Sequence, residues 1–169
     1  LRRADQRRQT WLTFLAEASE LLAQSLDVEL TLALIPQLVV PRLGRWAAVH
    51  TVDGYGNLQL DAAHHADETE LPQLHASLKE AGPEAALTRL TTALTGGGQV
   101  ALVRPTEGFA VPLVARGQAI GTLSVGRHLD RRQEPDEVSV LQDVARRAAL
   151  AIDNARTLAQ SVKPGQVVS

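Results

Sequence analysis

Residues 109–127, FAVPLVARGQAIGTLSVGR, leave this chain few ways to fold. Two apolar runs flank the pair Arg116-Gly117, and two residues are too few for the crossover that parallel strands need. The spacing therefore predicts antiparallel strands over 108–115 and 119–127, with Gly117 at a turn position that favours positive φ. Pro112 cannot donate to a ladder, so its nitrogen must face outward or lie at an irregularity. A sheet with an apolar face needs a cover, and the chain supplies one downstream. Pro135, with Glu134, Asp136 and Glu137 around it, opens a helix predicted to reach about residue 160, before Lys163-Pro164-Gly165.

Along that helix Val138, Leu141, Ala145, Ala148, Ile152, Ala155 and Ala159 recur in steps of three and four. The stripe can cover the sheet. Its alanines also let another helix approach closely, so Leu141, Ala145, Ala148, Ile152 and Ala155 are the candidate seam of a homodimer. Val144, Ala151 and Leu158 form a second stripe beside it. On this reading Ala148→Glu dissociates the dimer.

Upstream, Trp11, Leu15, Ala18 and Leu22 mark a helix over about 5–25, and Asp27 is placed to cap a second over 28–39, stopped by Pro41 and Gly44. The period then changes to two. WAAVHTV (46–52) and LQLDAAHH (58–65) read as a hairpin joined through Asp53-Gly54-Tyr55-Gly56-Asn57. Regular pairing from 52 opposite 58 sets Trp46, Ala48, His50 and Val52 on one face with Leu58, Leu60, Ala62 and His64. Thr51, Gln59, Asp61 and His65 then share the opposite, more polar face. Short helices over 67–80 and 83–95, a glycine connector at 96–98 and a strand over 99–104 complete the order.

A chain of 169 residues fits one domain, predicted over 8–160, with 1–7 the start of the first helix or a linker and 161–169 a linker. Hydrophobic residues make up 44% and charged residues 21%, as in ordinary globular proteins. A net charge of -2 gives no pull toward nucleic acid or anionic membrane. No apolar run approaches the ~20 residues of a membrane span. There is no cysteine, which excludes disulfides, zinc-thiolate sites and thioether-linked chromophores. No signal peptide opens the chain, and a cytoplasmic location is expected. With no methionine even at position 1, a piece of a longer protein is expected as well.

Catalysis needs proton-exchanging, attacking or metal-holding groups at converging spacings. Adjacent His64 and His65 point to opposite faces of a strand, and HHADETE lacks the HExxH spacing that sets two ligands one helical turn apart. There is no GxSxG elbow, and Gly96-Gly97-Gly98 precedes a strand where a phosphate loop would open a helix. The pairs Arg2-Arg3, Arg7-Arg8, Arg131-Arg132 and Arg146-Arg147 are interleaved with acids, so solvated helix faces explain them better than nucleic acid does. No catalytic or metal-binding residue is assigned.

VPLVARGQAIGTLSVGR followed by LQDVARRAALAIDNARTLAQ resembles the C-terminal half of a GAF domain. In that family a Pro-Leu strand, a Gly turn, an Ile-Gly-x-Leu strand and an Ala-Ile-x-Asn-Ala helix recur. Here they correspond to Pro112-Leu113, Gly117, Ile120-Gly121-Thr122-Leu123 and Ala151-Ile152-Asp153-Asn154-Ala155. The match spans about residues 8–160, with a flavour closest to actinobacterial sensors of serine phosphatases or histidine kinases. The resemblance implies an α+β fold: a GAF/PAS-like antiparallel sheet of five or six strands, terminal helices on one face and a ligand pocket on the other. It implies a non-catalytic sensory domain of a bacterial signalling protein, dimeric through its terminal helices and adjacent to an output domain. Trp46, His50, His64 and Phe109 are the expected lining residues for an unidentified small molecule. The alternative is a ligand-free dimerisation and relay module, because only Pro105-Thr106-Glu107-Gly108 separates the third and fourth strands.

Overall fold

The computed structural model describes residues 2–80, 82, 85–96, 98–102 and 106–161. Alternation and turn chemistry place the elements. Helices α1 (Arg2–Gln24) and α2 (Val28–Val39) precede β1 (Trp46–Val52) and β2 (Leu58–His65). A short 3₁₀ turn (Glu68–Glu70) leads into α3 (Leu71–Lys79) and α4 (Ala86–Gly96). Strands β3 (Val100–Leu102), β4 (Gly108–Ala115) and β5 (Gln118–Gly126) and helix α5 (Pro135–Ser161) follow. The expected Pro83 helix start, the middle of the glycine connector, the end of the 99–104 strand, Pro105 and the Lys163-Pro164-Gly165 stop lie outside the described residues.

Asp27 caps α2 as its position predicts, accepting from the backbone N–H groups of Glu29 at 2.8 Å and Leu30 at 3.2 Å. Asp53 Oδ1 likewise accepts from the N–H groups of Tyr55 and Asn57 and shapes the first hairpin turn. Arg116 and Gly117 both have positive φ, 53° and 77°, the pattern of a type I′ turn, whose twist matches that of the flanking strands. Pro112 costs no ladder bond, because β3 pairs with β4 only as far as Ala110.

The five antiparallel strands form one sheet in the order β2-β1-β5-β4-β3. Helices α1, α2 and α5 cover one face, packing with Ala47, Val49, Phe109, Val111, Leu113, Leu123 and Val125. The opposite face packs Trp46, Ala48 and Ala110 against Leu74, Leu78, Leu90 and Ala93 of α3 and α4. Phe109 therefore lines the helical core on the side away from Trp46, in contrast to the shared site expected for the two.

The hairpin contains a β-bulge. Val52 faces Leu58 and His50 faces Leu60 as predicted, but Val49 pairs with Ala62, leaving Asp61 as the extra residue. One extra residue reverses every side chain beyond it. Ala62 and His64 therefore move to the α2 and α5 side, while Ala63 and His65 join Trp46 and Ala48.

The expected dimer seam has a different use. Leu141, Ala145, Ala148, Ile152 and Ala155 are all buried in the domain's own core, as are Val144 and Ala151 of the second stripe. The seam is buried inside the domain, where α5 packs on β4, β5, α1 and α2.

At one end of the sheet the Trp46 indole lies flat over Gly126, where an added Cβ would meet Trp46 Nε1 at 1.9 Å and Cδ1 at 2.2 Å. Trp46 is itself buried, so the ring has little room to retreat. Gly126→Ala is expected to destabilise the domain by about 2–3 kcal/mol through overpacking. Urea unfolding checks this; a midpoint within error of the parent's would mean that the ring moves freely.

Candidate functional site

The sheet face beneath α3 and α4 carries an unusual group of polar side chains. On β5 the apolar residues Leu123 and Val125 point to the helical core, so strand alternation turns Thr122 and Ser124 the other way. β5 pairs with β1 so that Thr122 stands opposite His50 and Ser124 opposite Ala48. His50, Thr122 and Ser124 are all completely buried.

Their hydrogen bonding differs. Ser124 Oγ donates to the Ala48 carbonyl at 3.3 Å. Among the described residues neither His50 Nδ1 nor Nε2 has a partner, and Thr122 Oγ1 has none. Buried polar groups are ordinarily satisfied, and leaving one unpaired costs about 1–3 kcal/mol. Two such side chains facing each other across a strand pair are a local conflict with the fold, of the kind that concentrates at functional sites. Burial pushes the His50 pKa down to about 4 from the usual 6.5, so its imidazole is neutral near pH 7.

The surroundings are apolar. Trp46, Leu58, Leu60, Leu74, Leu78 and Leu90 belong to the cluster on this face. The buried residues of α3 and α4 include the small side chains of Ser77, Ala86 and Ala93 beside the leucines. His65, at the Trp46 end, is already engaged: its Nδ1 accepts from the Asp67 N–H at 2.9 Å. Its pKa is lowered, first by burial and then by the Arg45 charge. Among the described residues no group of three or more His, Asp or Glu side chains is placed to hold a metal ion.

Of the four expected lining residues, Trp46 and His50 share this face, while His64 and Phe109 sit on the other. Sequence reasoning missed Thr122. The alternation of Thr122 and Ser124 with Leu123 and Val125 was a legible signal of a polar-bearing face; the partner across the ladder was not legible.

The helical side offers open surface. A cleft of about 340 Å³ between α1 and α5 is lined by Ser19, Leu22, Leu26, Arg147, Leu150 and Asn154. Arg147 bridges its walls, donating from Nε to Ser19 Oγ at 2.7 Å. Leu12, Leu26 and Leu150 are more than half exposed along this surface. Near the start of α5, Arg42 lies over the rings of Trp11 and Phe14, and Trp11 Nε1 donates to Asp136 at 3.2 Å. The Trp11–Asp136 bond fastens α1 to α5, while Arg42 holds α1 to the segment that follows α2. No helix among the described residues is long and apolar enough to cross a membrane.

The family model described as GAF domain matches residues 11–152. Among solved structures, the fold is similar to the GAF domain of a phosphoenolpyruvate-protein phosphotransferase from Coxiella burnetii. That pair has a TM-score of 0.67 and 14% identity, covering 89% of this chain and 96% of that one. A putative GAF sensor protein from Burkholderia vietnamiensis gives 0.66 at 20% identity, with 88% and 92% covered. Free methionine-R-sulfoxide reductase from Neisseria meningitidis, solved with its substrate, gives 0.64 at 19% identity, with 90% and 92% covered. No curated protein sequence matches the chain.

Proposed function

The chain belongs to the GAF family, whose domains are sensory and regulatory parts of signalling proteins, and on that premise we propose that it senses a small molecule beneath α3 and α4. The observation that carries this reading is the facing pair His50 and Thr122, three fully buried polar atoms without partners among the described residues. A ligand that satisfies them gains hydrogen bonds that water cannot readily supply at that depth. The same insertion moves α3 and α4, and through the sheet the helices α1 and α5. Those helices are the route by which the signal reaches an adjacent output domain.

We read the domain as non-catalytic. His50 and Thr122 make no hydrogen bond to each other, so the imidazole does not activate the hydroxyl as a base would. A homodimer forms through the outer surface of α1 and α5, where Leu12 and Leu150 are exposed, together with Leu26 just beyond the end of α1. The inner stripe is already buried. The expected setting is a bacterial, cytoplasmic signalling protein of the kind that controls a kinase or phosphatase.

Native mass spectrometry of the freshly purified protein tests both parts. A dimer carrying a discrete small adduct is expected, with the adduct lost in His50→Leu. A clean dimer, unchanged after incubation with cell extract, would instead support the ligand-free relay module, for which the closed face over His50 speaks.

A further inference from the structure

We propose that the ligand beneath α3 and α4 is a small uncharged molecule with a hydrogen-bond donor and acceptor side by side, an amide or lactam edge on an apolar body. This rests on the reading of the His50 face as the ligand site.

The chemistry of the wall selects the class. A neutral imidazole offers one N–H and one lone pair, and the Thr122 hydroxyl both gives and takes a hydrogen bond. The two residues are direct cross-strand partners, which sets their Cβ atoms about 5 Å apart. An edge that presents a carbonyl beside an N–H can engage both at once.

Charge is selected against. The sheet positions on this face are Trp46, Ala48, His50 and Val52 of β1, with Leu58, Leu60, Ala63 and His65 of β2. Thr122 and Ser124 of β5, Ala110 and Pro112 of β4 and Val100 and Leu102 of β3 share it, and no Asp, Glu, Lys or Arg stands among these described positions. From the cover, the buried residues are Leu74, Ser77 and Leu78 of α3 and Ala86, Leu90 and Ala93 of α4. Lys79 is exposed, and Arg89 Nε is engaged by the Ala101 carbonyl at 3.1 Å. A carboxylate or ammonium placed beside His50 would lose its water and gain no opposite charge. A neutral amide keeps its hydrogen bonds and buries its apolar body against the leucines.

The test uses pairs of nearly equal shape in which a carboxylate replaces the amide, bringing a charge and removing the N–H donor: nicotinamide and nicotinate, benzamide and benzoate, indole-3-acetamide and indole-3-acetate. Each is added to the wild-type chain near neutral pH at about 10 mM, where fragments with so few atoms bind. The readout is the His50 imidazole resonance, assigned by its loss in His50→Leu. At least one amide is expected to move that resonance, with its carboxylate weaker by about tenfold or more. Thr122→Val, which keeps the shape and removes the hydroxyl, is expected to weaken the amide. A carboxylate that moves the resonance as far as its amide overturns the charge requirement and leaves the site standing. If none of the six moves it, the ligand site itself fails, and this inference with it.

Discussion

His50→Leu is expected to raise the stability of the isolated domain at pH 7.5 by about 1–3 kcal/mol and to flatten its decline in acid. The first effect removes two unpartnered nitrogens from a fully buried position and replaces them with apolar volume. The second follows from linkage. The folded-state pKa of His50 is about 4, below the 6.5 of an unperturbed histidine. Between those values the unfolded chain takes up a proton that the folded chain refuses. Stability is therefore full above pH 6.5, falls as pH drops toward 4, and levels off below. The window corresponds to a loss of about 3 kcal/mol from this one group. His65, also lowered, adds to the same slope, whereas Asp61, raised chiefly by burial, runs against it. Denaturant titrations of parent and variant across pH 4 to 8 check the result. Parallel curves would show that His50 is solvated in the folded protein, and the ligand reading would lose its support.

Ala148→Glu is expected to unfold the domain, and Leu150→Glu to leave it folded but monomeric. Ala148 is completely buried where α5 covers the sheet, so a carboxylate there is both overpacked and uncompensated. The cost, about 3–5 kcal/mol from the charge alone, approaches the whole stability of a typical domain. Leu150, two residues on, is 51% exposed on the outer surface and borders the cleft between α1 and α5. A carboxylate at that position meets water in the monomer and an apolar partner in the dimer. Circular dichroism and light scattering separate the two outcomes. A Leu150→Glu dimer as tight as the parent would remove this surface from the interface. A folded, dissociated Ala148→Glu would restore the inner seam to that role.

The contrast between those neighbouring residues shows where sequence reading stops. The spacing of apolar residues along α5 correctly marked a helix with a long buried face. It did not say whether that burial came from the chain's own sheet or from a second subunit, because both bury the same alanines in the same period. The sheet wins because its apolar face is wide and must be covered within one chain. The exposed leucines that remain are scattered among Arg146, Arg147 and Asn154 and make no clean stripe.

The sequence by itself determined the elements and their local geometry. Alternation bounded β1, β2 and β4, Asp27 announced its cap, Arg116-Gly117 its turn and Pro135 the start of α5. These depend on residues a few positions apart, so their physics is written locally. Tertiary structure decided which chemistry meets which. Strand order placed β5 beside β1, bringing Thr122 to His50 across about seventy residues of chain. The bulge at Asp61 sent His64 to the far face, and no local rule demands that one extra residue. Phe109 went to the helical core for the same kind of reason: a strand's faces are equivalent until the layers packed on them differ.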